Sequence, residues 1–176
     1  LLVSSSLISC SSIANEDSVT DSNILAPTED THSFSNVDQI RTEHLHLELT
    51  VNFNNNTING IARHEMSNHD VDTAIFDIKE LDIQKVTLGK ENEVTTNYVN
   101  GEEDKWLGQS LRVVINKNTK FINIYYRTTE KTEALDWLQP ELTAGKKHPF
   151  MYTQGQAILT RSWIPLQDTP MNRITY

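Results

Sequence analysis

The sequence predicts an all-β fold of mostly antiparallel sheets, preceded by a flexible tail. Three observations carry that prediction. "HLHLELTVNF", residues 44–53, alternates strictly between apolar and polar positions. Further short alternating runs follow it, separated by turns rich in Asn and Gly. No stretch holds a 3.6-residue apolar period long enough for an amphipathic helix. Abundant β-branched residues and low aromatic content (7%) agree with a β-rich domain.

In the first run, Leu45, Leu47, Leu49, Val51 and Phe53 share one strand face. His44, His46, Glu48, Thr50 and Asn52 take the other. "NNNT" is a turn, because Asn tolerates left-handed backbone and bonds its own main chain. "TINGIARHEM" reads as the return strand. "TAIFDI" and "LDIQKVTL" are further strands, and "LGKENE" and "NGEEDK" are turns. "SLRVVIN" sets Leu111, Val113 and Ile115 on one side. "KFINIYYRT" sets Ile122, Ile124 and Tyr126 opposite Phe121, Asn123 and Tyr125. "NKNTK" between the two predicts a hairpin. "TTEKTEALDWLQPELTAGKKHPF" then breaks the pattern with Pro140, Gly145 and Pro149. Long irregular segments in compact domains are often functional, and "ALDWL" predicts a short helical turn.

The start of the chain has a different texture. "LLVSSSLISC" is apolar with small residues and ends in Cys10. It is too short to span a bilayer, and it predicts residues 1–10 as part of a signal peptide. Leu-Ile-Ser-Cys resembles the bacterial lipobox, which implies lipidation at Cys10 and a membrane-anchored lipoprotein of the bacterial cell envelope. Residues 11–36 are polar and acidic and predict a flexible linker. The folded domain is expected over 37–176.

The formal net charge of −9 argues against nucleic-acid binding, which needs a basic patch. Cys10 is the only cysteine, so no intrachain disulfide and no Cys-rich zinc site is expected. "HEMSNH" looks like the zinc motif H-E-x-x-H but is not. His64 and His69 are five residues apart, about 140° out of line on a helix. His44 and His46 share a strand face but have no third ligand in useful spacing. There is no G-x-S-x-G nucleophile elbow, and Glu102 and Glu103 lie in a charged turn. These residues carry no catalytic constellation and no metal site of their own.

One stretch remains unusual. "MYTQGQAILTRSWIPLQDTP" brackets Gly155 between Gln154 and Gln156. Glutamine has no useful pKa, so the stretch reads as a binding edge or as a strand and turn. Asp168 before Thr169-Pro170 reads as a turn cap, and Tyr152 and Trp163 as packing residues.

The segment from Glu133 resembles the N-terminal domain of the zinc aminopeptidases related to leukotriene A(4) hydrolase and aminopeptidase N. The match runs through Ala134-Leu135-x-Trp137-Leu138-x-Pro140 and Thr143-x-Gly145-Lys146-x-His148-Pro149. It continues through Gln154-x-Gln156-Ala157-Ile158, Arg161, Pro165 and Gln167-Asp168-Thr169-Pro170. The resemblance implies a saddle-like β domain, C-terminally incomplete at Tyr176, from an enzyme that releases N-terminal residues from peptides. It implies that zinc and the general base belong to a catalytic domain absent from this chain, so that this fragment alone is inactive. It also implies that Gln154, Gly155 and Gln156 form the substrate-binding edge for the peptide amine. Two other readings compete: a non-enzymatic surface lipoprotein for binding or scaffolding, and a family member that has lost its zinc.

Overall fold

A computed structural model describes residues 30–68 and 70–176. Cys10, the expected signal peptide and His69 lie outside the described residues. Among the described residues, ten strands and two 3-10 turns make up the regular structure: β1 Ile40–Asn52, β2 Thr57–Asn68, β3 Thr73–Ile78, β4 Leu81–Leu88, β5 Val94–Thr95, β6 Tyr98–Asn100, β7 Gln109–Val114, β8 Phe121–Thr128, β9 Leu135–Leu138 and β10 Phe150–Thr153. The 3-10 turns are Pro140–Leu142 and Thr160–Ser162. The fold is all-β, and among the described residues these ten strands pair antiparallel, with one isolated parallel bridge between His44 and Thr175.

Two layers form the body. A five-stranded sheet has the order β1-β2-β8-β4-β5, and a three-stranded sheet has the order β3-β7-β6. The core lies between them. Ile40, Leu45, Ala62, Met66, Val86, Ile122, Ile124 and Tyr126 face Ala74, Phe76, Ile78, Leu111 and Val113. Most of these come from the apolar half of an alternating run, and Ile40 joins them because the register shift between Thr42 and His44 changes the phase of β1. Period-two patterning thus chooses the core face, and burial of that face drives the layers together. β9 and β10 form a separate two-stranded sheet.

The β1–β2 hairpin forms as expected. Asn56 takes φ 54°, and Asn52 Oδ1 accepts from Asn54 N–H at 2.9 Å. The long pairing runs from Ile40↔Asn68 to Asn52↔Thr57, with a register shift between Thr42 and His44. The expected apolar face of β1 is only partly covered. Leu45 is buried, but Leu49, Val51 and Phe53 are 39%, 36% and 40% exposed.

Three expectations need correction. "NKNTK" does not close a hairpin: β7 pairs with β3 and β6, whereas β8 pairs with β2 and β4. The apolar faces of β7 and β8 meet across the core, so the loop carries the chain from one layer to the other. "ALDWL" is not helical, because Leu135–Leu138 pairs with β10 as strand β9. Residues 30–36, placed in the linker by composition, are held on the domain. Phe34 N–H and Ser33 Oγ–H donate to Asp77 at 2.7 and 2.5 Å, and Asn36 bridges Thr73 O and Ile75 N–H. A polar stretch is expected to stay loose only when nothing buried receives it, and Asp77 is such a receiver.

Candidate functional site

The hairpin β9–β10 carries the residues of interest. Its register runs from Phe150↔Leu138 to Thr153↔Leu135. The connecting loop is closed by Thr143, whose hydroxyl reaches Pro140 O and His148 O at 2.9 and 2.8 Å. Trp137 meets Phe53 edge-on at 5.5 Å, which ties the hairpin to the β1–β2 turn. Tyr152 is not a packing residue: it is exposed and its O–H donates to Asp136 Oδ2 at 2.6 Å. That hydrogen bond to a carboxylate raises the phenol pKa.

Gln154 lies one residue past the end of β10. Its N–H donates to Ala134 O at 2.9 Å, the last rung of the hairpin. The chain then turns: Leu159 N–H returns to Gly155 O at 2.9 Å, and Gln156 N–H points at Gln154 Oε1 at 3.4 Å. The peptide bond between Gln156 and Ala157 is cis. Both glutamine side chains are exposed. Gly155 lies against Thr160, whose Oγ1 would lie 2.3 Å from a Cβ built at 155.

Beneath this turn Arg161 and Asp168, named above in the resemblance, join Asp77 and Ser162 in a polar cluster. Arg161 is fully buried. Its Nη1 donates to Leu107 O, its Nη2 to His32 O and Asp168 O, and its Nε to Asp168 Oδ2, all between 2.8 and 3.2 Å. Asp77, also fully buried, lies 3.6 Å from the guanidinium. Burial pushes the Asp77 carboxyl up, and the Arg161 charge with the donors Ser33, Phe34 and Asp168 offsets part of that. Asp168 is structural, but not as a cap of its own turn: it accepts from Arg161 and donates its N–H to Asp77 at 2.9 Å. Ser162 Oγ accepts from Ala134 N–H at 3.0 Å and donates to Leu159 O at 2.7 Å. Ser162 therefore ties the base of the hairpin to the turn after Gln156, and Arg161 anchors the adjoining 3-10 turn to the rest of the domain. The available signal was Asp77 itself, a charge inside the apolar run "TAIFDI". Trp163 is half-buried against the core, as expected of a packing residue.

His64, His44 and His46 take other partners. His64 is fully buried on β2 between Thr42 Oγ1 and Pro165 O, each at 3.1 Å, and burial pulls its pKa down to about 4. His44 and His46 line a shallow cleft of about 250 Å3 with Arg63, Glu65, Lys90 and Phe121. His44 Nδ1 lies 2.8 Å from Thr175 Oγ1. Among the described residues no three His, Cys, Asp or Glu side chains are grouped to hold a metal, so these residues do not fit a zinc site. Chemically, the exposed glutamine pair can bind polar groups but cannot move protons.

The class of fold is established by solved structures. Native yeast LTA4 hydrolase superposes with a TM-score of 0.76 at 28% identity, covering 85% of this chain and 24% of that one. A two-domain M1 zinc metallopeptidase shares the fold at a TM-score of 0.53 and 12% identity, covering 77% of this chain and 31% of that one. The family follows from the sequence: a model described as the Peptidase M1 N-terminal domain matches residues 41–176, and the chain belongs to that family. Among curated relatives, leucine aminopeptidase 2 of Sclerotinia sclerotiorum is 32% identical over 155 residues, covering 84% of this chain and 25% of the relative. Leukotriene A-4 hydrolase of Xenopus laevis is 31% identical over 154 residues, with 84% and 25% coverage. The chain spans about a quarter of the length of these relatives.

Proposed function

We propose that this domain is the N-terminal, substrate-binding part of a zinc aminopeptidase that releases N-terminal residues from peptides. The relatives named for aminopeptidase activity support the reaction class. Zinc and the general base would belong to a catalytic domain outside these residues, and the 176-residue chain by itself would not hydrolyse peptides. The observation that carries the proposal is the Gln154-Gly155-Gln156 turn with both glutamine side chains exposed, tied to Ala134 and, through Ala134, to Ser162. A carboxamide oxygen accepts from a peptide ammonium, and its NH₂ can donate to a backbone carbonyl. Fixing the amine fixes which peptide bond reaches the metal.

In the intact enzyme, Gln156→Ala should lower kcat/KM for aminoacyl substrates about 10- to 100-fold, the worth of one hydrogen bond to a charged group. The unfolding midpoint should hardly move, since Gln156 is exposed. Unchanged kinetics in the variant would remove Gln156 from the site.

Lipidation at Cys10, a membrane anchor and a place in the bacterial cell envelope rest on the lipobox-like run alone. The mass of the mature N-terminus tests them, and an unacylated Cys10 sinks the idea.

A further inference from the structure

His44 and His46 are two residues apart on β1, so both imidazoles project from the outer face of the five-stranded sheet, opposite the core face that carries Leu45 and Leu47. Directly across from them on β2 stand Glu65 and Arg63. These four residues, with Lys90 and Phe121, line one shallow cleft.

Hydrogen bonding selects the nitrogen that His44 offers to this cleft. Its Nδ1 lies 2.8 Å from Thr175 Oγ1. The Thr175 hydroxyl donates its one hydrogen to Glu43 O at 3.2 Å. Toward His44 it therefore accepts, and Nδ1 carries the proton of the neutral ring. Nε2 is left as a bare lone pair on an oriented imidazole. Metal-binding histidines are held in this way, the second nitrogen donating to an oxygen. His46 is exposed, and its Nε2 stands 3.7 Å from Glu48 Oε1, beyond hydrogen-bond distance. That contact leaves the ring free to turn toward His44. The surrounding charges admit a cation. Arg63 is engaged elsewhere, its Nε on Asn123 Oδ1 at 2.7 Å and its Nη2 on Glu93 Oε1 at 3.3 Å. Lys90 Nζ lies over the Phe121 ring, 5.4 Å from the centroid. Against these two cations stand three carboxylates, Glu48, Glu65 and Glu93.

We propose that His44 and His46 form a surface chelate for a late first-row divalent ion, copper(II) most tightly, with Thr175 positioning the His44 ring. Alternate residues of an extended strand are about 6.6 Å apart, a span that two imidazoles leaning toward one ion can close. Imidazole suits copper, nickel and zinc, and copper(II) heads that series in affinity. Water would complete the coordination. Such a site exchanges its ion readily and differs from a resident zinc centre, which takes three or four protein ligands. It stands independently of any role for Gln154 and Gln156.

Copper(II) titration of the full-length protein, followed by calorimetry and electron paramagnetic resonance, tests the proposal. The parent should bind one copper equivalent, with the spectrum of two coordinated imidazoles, that His44→Asn and His46→Asn each lose. Thr175→Val should weaken that equivalent about 10- to 100-fold, the usual cost of removing a ligand's hydrogen-bond partner. Thr175→Ser, which keeps the hydroxyl, should bind as the parent does. Equal copper stoichiometry in the parent and both histidine variants overturns the proposal. So does a spectrum of a single imidazole, or tighter binding of nickel(II) than of copper(II). Equal affinity in Thr175→Val and the parent overturns the positioning role of Thr175.

Discussion

Arg161 and His64 show how single buried side chains hold this domain. The Arg161 guanidinium spans four pieces of chain: the segment at His32, the loop at Leu107, β3 through Asp77, and its own turn through Asp168. Removing one partner of a buried pair is costly because the other charge stays behind. Arg161→Met should therefore lower stability by about 3–5 kcal/mol in urea unfolding. Adding Asp77→Asn should recover part of that loss. If the double variant is no better than the single one, the charge left on Asp77 is not the cause. His64 makes a pH prediction. Its folded pKa of about 4 lies below the ordinary 6.5. The unfolded chain therefore takes up a proton at a pH where the folded chain does not. This contribution is complete above pH 6.5, falls as pH drops toward 4, and is gone below that. The loss amounts to about 3 kcal/mol at 1.36 kcal/mol per pKa unit. Unfolding free energy followed from pH 7 to 4 should fall more steeply in the parent than in His64→Gln, and equal slopes would refute the assignment. Neither residue was legible as a keystone. An Arg or His beside apolar residues looks the same in sequence whether it bends out to water or is drawn inward by acceptors supplied from far along the chain.

At the scale of elements, the strands were the legible part. β1, β2, β3, β4, β7 and β8 each follow an apolar alternation read directly from the residues, because a two-residue period marks a half-buried strand whatever it pairs with. What β7 pairs with was not legible. "NKNTK" has hairpin chemistry, but the apolar faces of both flanking strands gain more by meeting across the core than by lying side by side. "ALDWL" failed for a related reason: a four-residue strand has too few alternations to distinguish it from a helical turn, and its partner β10 lies beyond an eleven-residue loop. The candidate site was legible in composition and not in support. Gln154 and Gln156 stood out, whereas Ser162, which ties Ala134 to the turn at Leu159, did not. The segment 30–36 behaves as part of the domain. A chain beginning at Val37 loses the Ser33 and Phe34 donors to Asp77, the His32 acceptor of Arg161, and both Asn36 bonds. Hydrogen bonds to charged groups contribute about 1.5–3 kcal/mol each. A chain begun at Val37 should thus unfold at least about 3 kcal/mol more easily than one begun at Asp30. Coincident urea curves would show that the segment is dispensable.

At the scale of the whole molecule, the two layers are interleaved in sequence. The chain makes β1 and β2, leaves for β3, returns for β4, leaves again for β6 and β7, and returns with β8. β8 then inserts between β2 and β4, two strands that do not touch each other in the sheet. Its pairings span long separations, Asn59 with Arg127 at one end of β2 and Leu88 with Ile122 at one end of β4. Such distant pairings must close large loops before they yield any contact, and they slow folding. A ribosome making this chain thus releases the β1–β2 hairpin with one side of β2 bare, and β4 with no neighbour from the long strands. Both wait until residue 128 has emerged. The strand placed at the centre of the finished sheet is the last of its long strands to be synthesised, so the two halves of this layer join only once β8 has been made.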